Sequence, residues 1–192
     1  MSNTRDTIKT ELQEELQEEL GKLSNNSIIL LDAHAENCFD AVMESTNFML
    51  DQGKAGIYVT VSKPYKFITR KMQDMDMKLD NLLFIDCISL MAGDGTGKGC
   101  IFVETPALLQ HIRMNIDSLI SKPDSREKFL IIDSISMFLI YNEENKVKEF
   151  ARFLVNKLKQ EKVTGVFITI NNEISGDLKR VLTKMCDEVI HV

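Results

Sequence analysis

Phe129-Leu130-Ile131-Ile132-Asp133-Ser134 holds four consecutive apolar residues followed by an acid. A run this short is a strand, and its lack of polar–apolar alternation predicts a strand covered on both faces. Asp133 then stands at its carboxyl end. Outward in both directions the pattern alternates: a helix near Pro106 to Ile120 precedes this strand and a helix near Lys146 to Glu161 follows it.

Extended over the chain, the reading gives strands at Ser27 to Asp32, Gly56 to Val61, Leu82 to Cys87, Phe129 to Asp133, Gly165 to Ile170 and Glu188 to His191. Further helices fall near Cys38 to Gln52, Pro64 to Met75 and Gly176 to Cys186. Strands separated by helices predict crossover connections, hence an α/β fold of three layers with a mainly parallel central sheet and helices on both faces. The sequence contains no internal repeat and no low-complexity tract.

A length of 192 residues suits one well-buried core and is short for two. The apolar runs, such as 27–31 and 82–85, are far below the roughly 20 residues that span a bilayer, and the polar, acidic start lacks the marks of a signal peptide. A cytoplasmic location is therefore expected. Cys38, Cys87, Cys100 and Cys186 form no C-x-x-C pair, and His34, His111 and His191 complete no metal-ligand spacing, so reduced thiols and no metal are expected. A formal charge of −6 argues against a nucleic-acid partner held through its phosphates.

Thr7 to Leu23 reads as an N-terminal helix with Ile8, Leu12, Leu16, Leu20 and Leu23 along one stripe, ended by Gly21 and Ser24-Asn25-Asn26. Two readings stand. The narrow stripe through Leu12, Leu16, Leu20 and Leu23 is a seam for a protein partner or a second copy, or it packs along its own domain. The chain divides accordingly into an amphipathic helix at 1–24 and an α/β domain at 25–192.

Ligands of open parallel sheets sit at the carboxyl ends of the strands. After the first strand comes Asp32-Ala33-His34-Ala35-Glu36-Asn37-Cys38-Phe39, with no glycine to let backbone approach a phosphate and no lysine to neutralise one. Asp32 and Glu36 would repel a triphosphate. Gly93-Asp94-Gly95-Thr96-Gly97-Lys98-Gly99 has a phosphate-loop composition but the wrong spacing, no Ser or Thr after Lys98 and no following helix, so an exposed surface loop is expected there. Asp133 and Ser134 at one strand end, His34, Glu36 and Asn37 at another, and Asn171 at a third remain as candidate ligand-binding residues.

The segments Gly53 to Thr60, Leu82 to Asp86, Phe129 to Ser136 (FLIIDSIS) and Cys186 to Val192, in this order and spacing, resemble the RecA-like ATPases of the KaiC type from about Ser27 to Val192. The resemblance implies a RecA-like fold, places the family's Walker B acid at Asp133 and its phosphate loop at Leu31 to Asp40. The family's paired glutamates after the second strand align with Ser62 and Lys63. A serine hydroxyl is a poor base and a lysine ammonium has no lone pair to offer, so neither prepares an attacking water. With cradle and base both missing, the expectation is a non-catalytic KaiC-like domain, without catalytic residues or cofactor, serving as a signalling, regulatory or assembly module through protein contacts. The alternative is a nucleotide sensor or weak ATPase using His34, Glu36, Asn37 and Asp133, with His34 as acid or base.

Overall fold

The computed structural model describes residues 13–122, 124 and 126–192. Leu12 and Ile8 lie outside the described residues. Helix α1 covers 13–21; then follow β1 (Ile28–Ala33), α2 (Cys38–Asp51), β2 (Ala55–Thr60), α3 (Tyr65–Asp74), β3 (Leu82–Asp86), β4 (Cys100–Phe102), α4 (Leu109–Ile120), β5 (Lys128–Ile132), α5 (Glu144–Glu161), β6 (Thr164–Ile170), α6 (Gly176–Met185) and β7 (Glu188–His191). The strands form one sheet in the order β4-β3-β2-β5-β6-β1-β7. Every neighbouring pair is parallel, as crossover helices require.

Successive side chains along each strand serve opposite faces, and both faces are apolar. Ile28 and Leu30 of β1, Ile57 and Val59 of β2 and Leu130 and Ile132 of β5 meet α4, α5 and α6 through Ile112, Ile116, Leu154, Leu158, Leu178 and Leu182. Ile29 and Leu31, Tyr58, and Phe129 and Ile131 from the same strands pack on the other face with Val42, Met49, Ile68 and Met72 of α2 and α3. This two-sided burial is why the strand sequences lack alternation. The three-layer architecture expected from the sequence is the one observed.

Local chemistry fixes several boundaries. The Ser175 hydroxyl accepts from the Leu178 amide and starts α6. Lys162, at φ 56°, turns the chain out of α5 in the left-handed conformation. Gly56 lets β2 pass beneath Phe129: a Cβ there would lie 2.3 Å from the Phe129 ring and 2.5 Å from Leu82. The Asp86 carboxylate, at the end of β3, accepts from the amides of Tyr65 (2.6 Å), Ile88 (2.7 Å) and Ser89 (2.8 Å), tying the start of α3 to the chain leaving β3.

One strand departs from the sequence reading, and one open alternative is resolved. β4 had no sequence signal: it is three residues at the sheet edge, paired only to β3, too short for any periodicity to register. Of the two readings of the α1 stripe, packing along its own domain is the one seen at Leu16, Leu20 and Leu23. Leu16 is fully buried and Leu20 nearly so, in the core shared with α2 and α3, with Leu23 packed against it, and the Gln13 side-chain amide donates to Glu44 of α2 at 2.8 Å. At these positions the stripe serves the protein's own core, adding Leu16 and Leu20 to the face that α2 and α3 already cover. Among the described residues, no helix is long and apolar enough to cross a membrane.

Candidate functional site

The carboxyl ends of β1, β2, β5 and β6 converge beside the first turns of α2. The turn leading from β1 into α2 is closed on itself. The His34 carbonyl accepts from the amides of both Asn37 (3.0 Å) and Cys38 (2.9 Å), and the Asn37 carbonyl accepts from Ala41 at 2.9 Å. A phosphate cradle needs several amides directed at the ligand, and here the Asn37 and Cys38 amides are already engaged. His34, Ala35 and Glu36 are exposed on the outside of this turn.

Asp32 plays a different part from the repulsive one read in the sequence. Its carboxylate is buried, receives a 2.6 Å hydrogen bond from the Lys179 ammonium of α6, lies 3.3 Å from His191 Nδ1 and accepts from the Thr169 hydroxyl at 3.2 Å. It is a paired structural acid. The absence of glycine and lysine from the turn, and not the charge of Asp32, is what bears on phosphate.

Asp133 follows β5 and is held from β2. Oδ1 accepts from the Val61 amide at 2.8 Å, and Oδ2 accepts from the hydroxyls of Thr60 and Ser62, both at 2.8 Å. Burial raises its carboxyl to about 6, against the pull of these three donors toward the ionised form. Ser62 therefore serves as a donor to the neighbouring acid. Lys63 places its ammonium 5.8 Å from the Phe39 ring centre and 5.4 Å from that of Phe67, a cation–π bracket between α2 and α3.

Between these groups lies a cavity of about 260 Å³, bounded by Cys38, Phe39 and Val42 of α2, Tyr58 of β2, Ser62 and Lys63 after it, Asp133, Ser134 and Met137 after β5, and Ala35 and Ile170. Of the candidates named from sequence, Asp133 and Ser134 line it, whereas His34, Glu36, Asn37 and Asn171 do not. Asn171 instead closes the end of β6, its amide donating to the Ala33 carbonyl at 2.7 Å. The acid–base constellation of His34, Glu36, Asn37 and Asp133 is thus not assembled around one space.

Tyr58 was missed by sequence reasoning because it sits mid-strand, where a tyrosine reads as core. The structure buries its hydroxyl and that of Ser134 completely, and neither has a hydrogen-bond partner among the described residues. Burial, then Asp133 and Cys38 nearby, hold the Tyr58 phenol well above its ordinary range, and burial pushes the Cys38 thiol up to about 11.

The glycine-rich segment is mostly exposed, as expected, is strapped to α3 and contributes no residue to the wall of this cavity. The Tyr65 hydroxyl donates to the Lys98 carbonyl at 2.9 Å, Lys66 bonds Asp94 at 2.9 Å, and Gly97 lies so close to the Tyr65 ring that a Cβ would be 2.3 Å from it. Among the described residues, no group of three or more His, Cys, Asp or Glu side chains is placed to hold a metal ion.

The family model described as ATPase: KaiC matches residues 45–191. The chain belongs to the KaiC ATPase family. The match begins inside α2, downstream of the β1–α2 turn. Among solved structures, an uncharacterized protein from Pyrococcus horikoshii, crystallised in complex with an unknown peptide, superposes with a TM-score of 0.67 at 15% identity, over 93% of this chain and 82% of its own. A KaiC-like protein from the hyperthermophilic archaeon Pyrococcus horikoshii OT3 gives 0.56 at 16% identity, over 88% and 72%. At such identities the likeness is one of fold, and it places this KaiC-family chain in the RecA-like α/β architecture. No curated protein sequence matches it.

Proposed function

We propose that this KaiC-family domain is a non-catalytic signalling, regulatory or assembly module that works through contacts with other polypeptides. The observation that carries this reading is the closed β1–α2 turn, whose Asn37 and Cys38 amides are consumed by the His34 carbonyl where a phosphate would need them. A magnesium–nucleotide does not fit the remaining groups either. Both oxygens of Asp133 are already engaged by Val61, Thr60 and Ser62, and the two positions for a water-activating acid are a serine and a lysine turned to other tasks. Phosphoryl transfer rests on positioning and charge neutralisation, and neither is provided. Support for a polypeptide partner comes from the neighbour of like fold that was crystallised with a peptide.

Isothermal titration with ATP and ADP in magnesium, together with a phosphate-release assay, tests the first half. No binding heat below millimolar concentration and no phosphate above the buffer blank are expected. Nucleotide affinity abolished by Asp133→Ala would defeat the proposal. For the second half, light scattering and affinity capture on the full chain should reveal an oligomer or a stoichiometric polypeptide partner.

A further inference from the structure

We infer that the cavity at the carboxyl ends of β2 and β5 is a binding site for a compact, uncharged, mainly apolar molecule with one or two hydrogen-bonding groups, a bicyclic heteroaromatic or aromatic amide. It shares with the proposed function the premise that this end of the sheet no longer holds phosphate, and it does not depend on the polypeptide partner.

Three observations converge. The first is size: about 260 Å³ exceeds the roughly 150 Å³ of an engineered protein cavity that takes up benzene, so a ring with a fused ring or polar substituent fits. The second is the wall. Phe39, Val42, Met137 and Ile170 supply apolar contact, as is usual of pockets for small organic molecules. The third is the pair of hydroxyls. Tyr58 and Ser134 both line the cavity, and their hydroxyls are fully buried with no partner among the described residues, whereas buried hydroxyls are ordinarily satisfied. Each both donates and accepts, which matches an amide or a ring nitrogen.

The same residues argue against charge in the ligand. The Asp133 carboxylate on the wall opposes an anion. It offers a cation little, since Val61, Thr60 and Ser62 already bond it, and the Lys63 ammonium borders the same space. What remains unmatched is neutral and hydrogen-bonding.

The test uses indole and benzamide as probes on the full ¹⁵N-labelled chain. Amide shifts are expected at Ala35 to Val42, Ser62 to Lys63 and Ser134 to Met137, with a dissociation constant near or below about 1 mM. Tyr58→Phe and Ser134→Ala should each weaken binding about fivefold to tenfold while leaving the unfolding midpoint of the free protein equal or higher, because each removes a buried group that lacks a partner. Val42→Trp, which fills the space, should abolish the shifts. If that variant does not fold, the two hydroxyl deletions decide. Silence at about 10 mM of either probe, or binding indifferent to both deletions, overturns the inference. A parallel ATP–magnesium titration keeps the two ideas apart. Silence from probes and nucleotide alike sinks the small-molecule site alone, whereas nucleotide shifts at these residues without probe shifts sink it together with the proposed function.

Discussion

Asp133 shows how burial can outweigh hydrogen bonds donated to an acid at a strand end. Its carboxyl lies near 6 because burial outweighs three donated hydrogen bonds, so the folded state holds a proton that the unfolded state, near 3.8, has already released. The sign follows: stability from this group is complete below about 4, falls as pH rises toward 6 and is level above. A change from 3.8 to about 6 corresponds to about 3 kcal/mol. Asp133→Asn keeps an acceptor for the Val61 amide and removes the titration. Urea denaturation of both proteins from pH 4 to 8 should therefore show the variant gaining about 3 kcal/mol relative to wild type across that window, with no further change above about pH 7. Asp32 gives the opposite case, an acid buried with its cation. Lys179→Met leaves that carboxylate with His191 and Thr169 alone and should cost about 2–3 kcal/mol, less than for a fully buried pair because the Lys179 side chain is 38% exposed. Asp133 was legible as a strand-end acid from FLIIDS, since position follows from pattern. The partners of Asp32 were not, because Lys179 lies 147 residues away and only the fold brings it there.

At the scale of elements, the strands and their crossover helices were readable because each needs an apolar run or stripe that the core demands. Boundaries slipped where a turn replaced a pattern, as at the start of α4, which begins at Leu109 and not at Pro106. β4 was invisible for its shortness. The turn after β1 shows the limit from the other side: its sequence revealed what it lacks, and only the backbone showed that the amides close onto His34. Gly56 belongs at this scale, since it sets how closely β2 can lie under Phe129 and Leu82, both buried. Gly56→Ala inserts a methyl against the buried tips of Phe129 and Leu82, which must shift to admit it. It should lower stability by about 1–3 kcal/mol, measured by thermal unfolding, and Gly56→Ala combined with Phe129→Leu should recover part of that loss, which a purely conformational effect at Gly56 would not allow.

For the whole molecule, the question is what belongs to the domain. A narrow leucine stripe on a polar helix reads equally as a partner seam or as a cover for the helix's own fold, and sequence periodicity cannot separate them, since both bury one face. Burial separates them for Leu16 and Leu20: both sit in the core beneath α2, on the sheet face opposite α4, α5 and α6. Removing residues 1–24 therefore takes away part of the third layer. Two buried leucines contribute about 1.5–3 kcal/mol each, a large share of the roughly 5–15 kcal/mol that holds a domain folded. The truncated chain should unfold roughly 6–24 °C below the full one, at about 2–4 °C per kcal/mol for a domain of this length. It should also bind a hydrophobic dye and aggregate, because Ile29 and Met49 lose their cover. A truncated protein as stable and monodisperse as the full chain would show that α1 leaves its groove at little cost, and would return the leucine stripe to the surface as a seam for another protein.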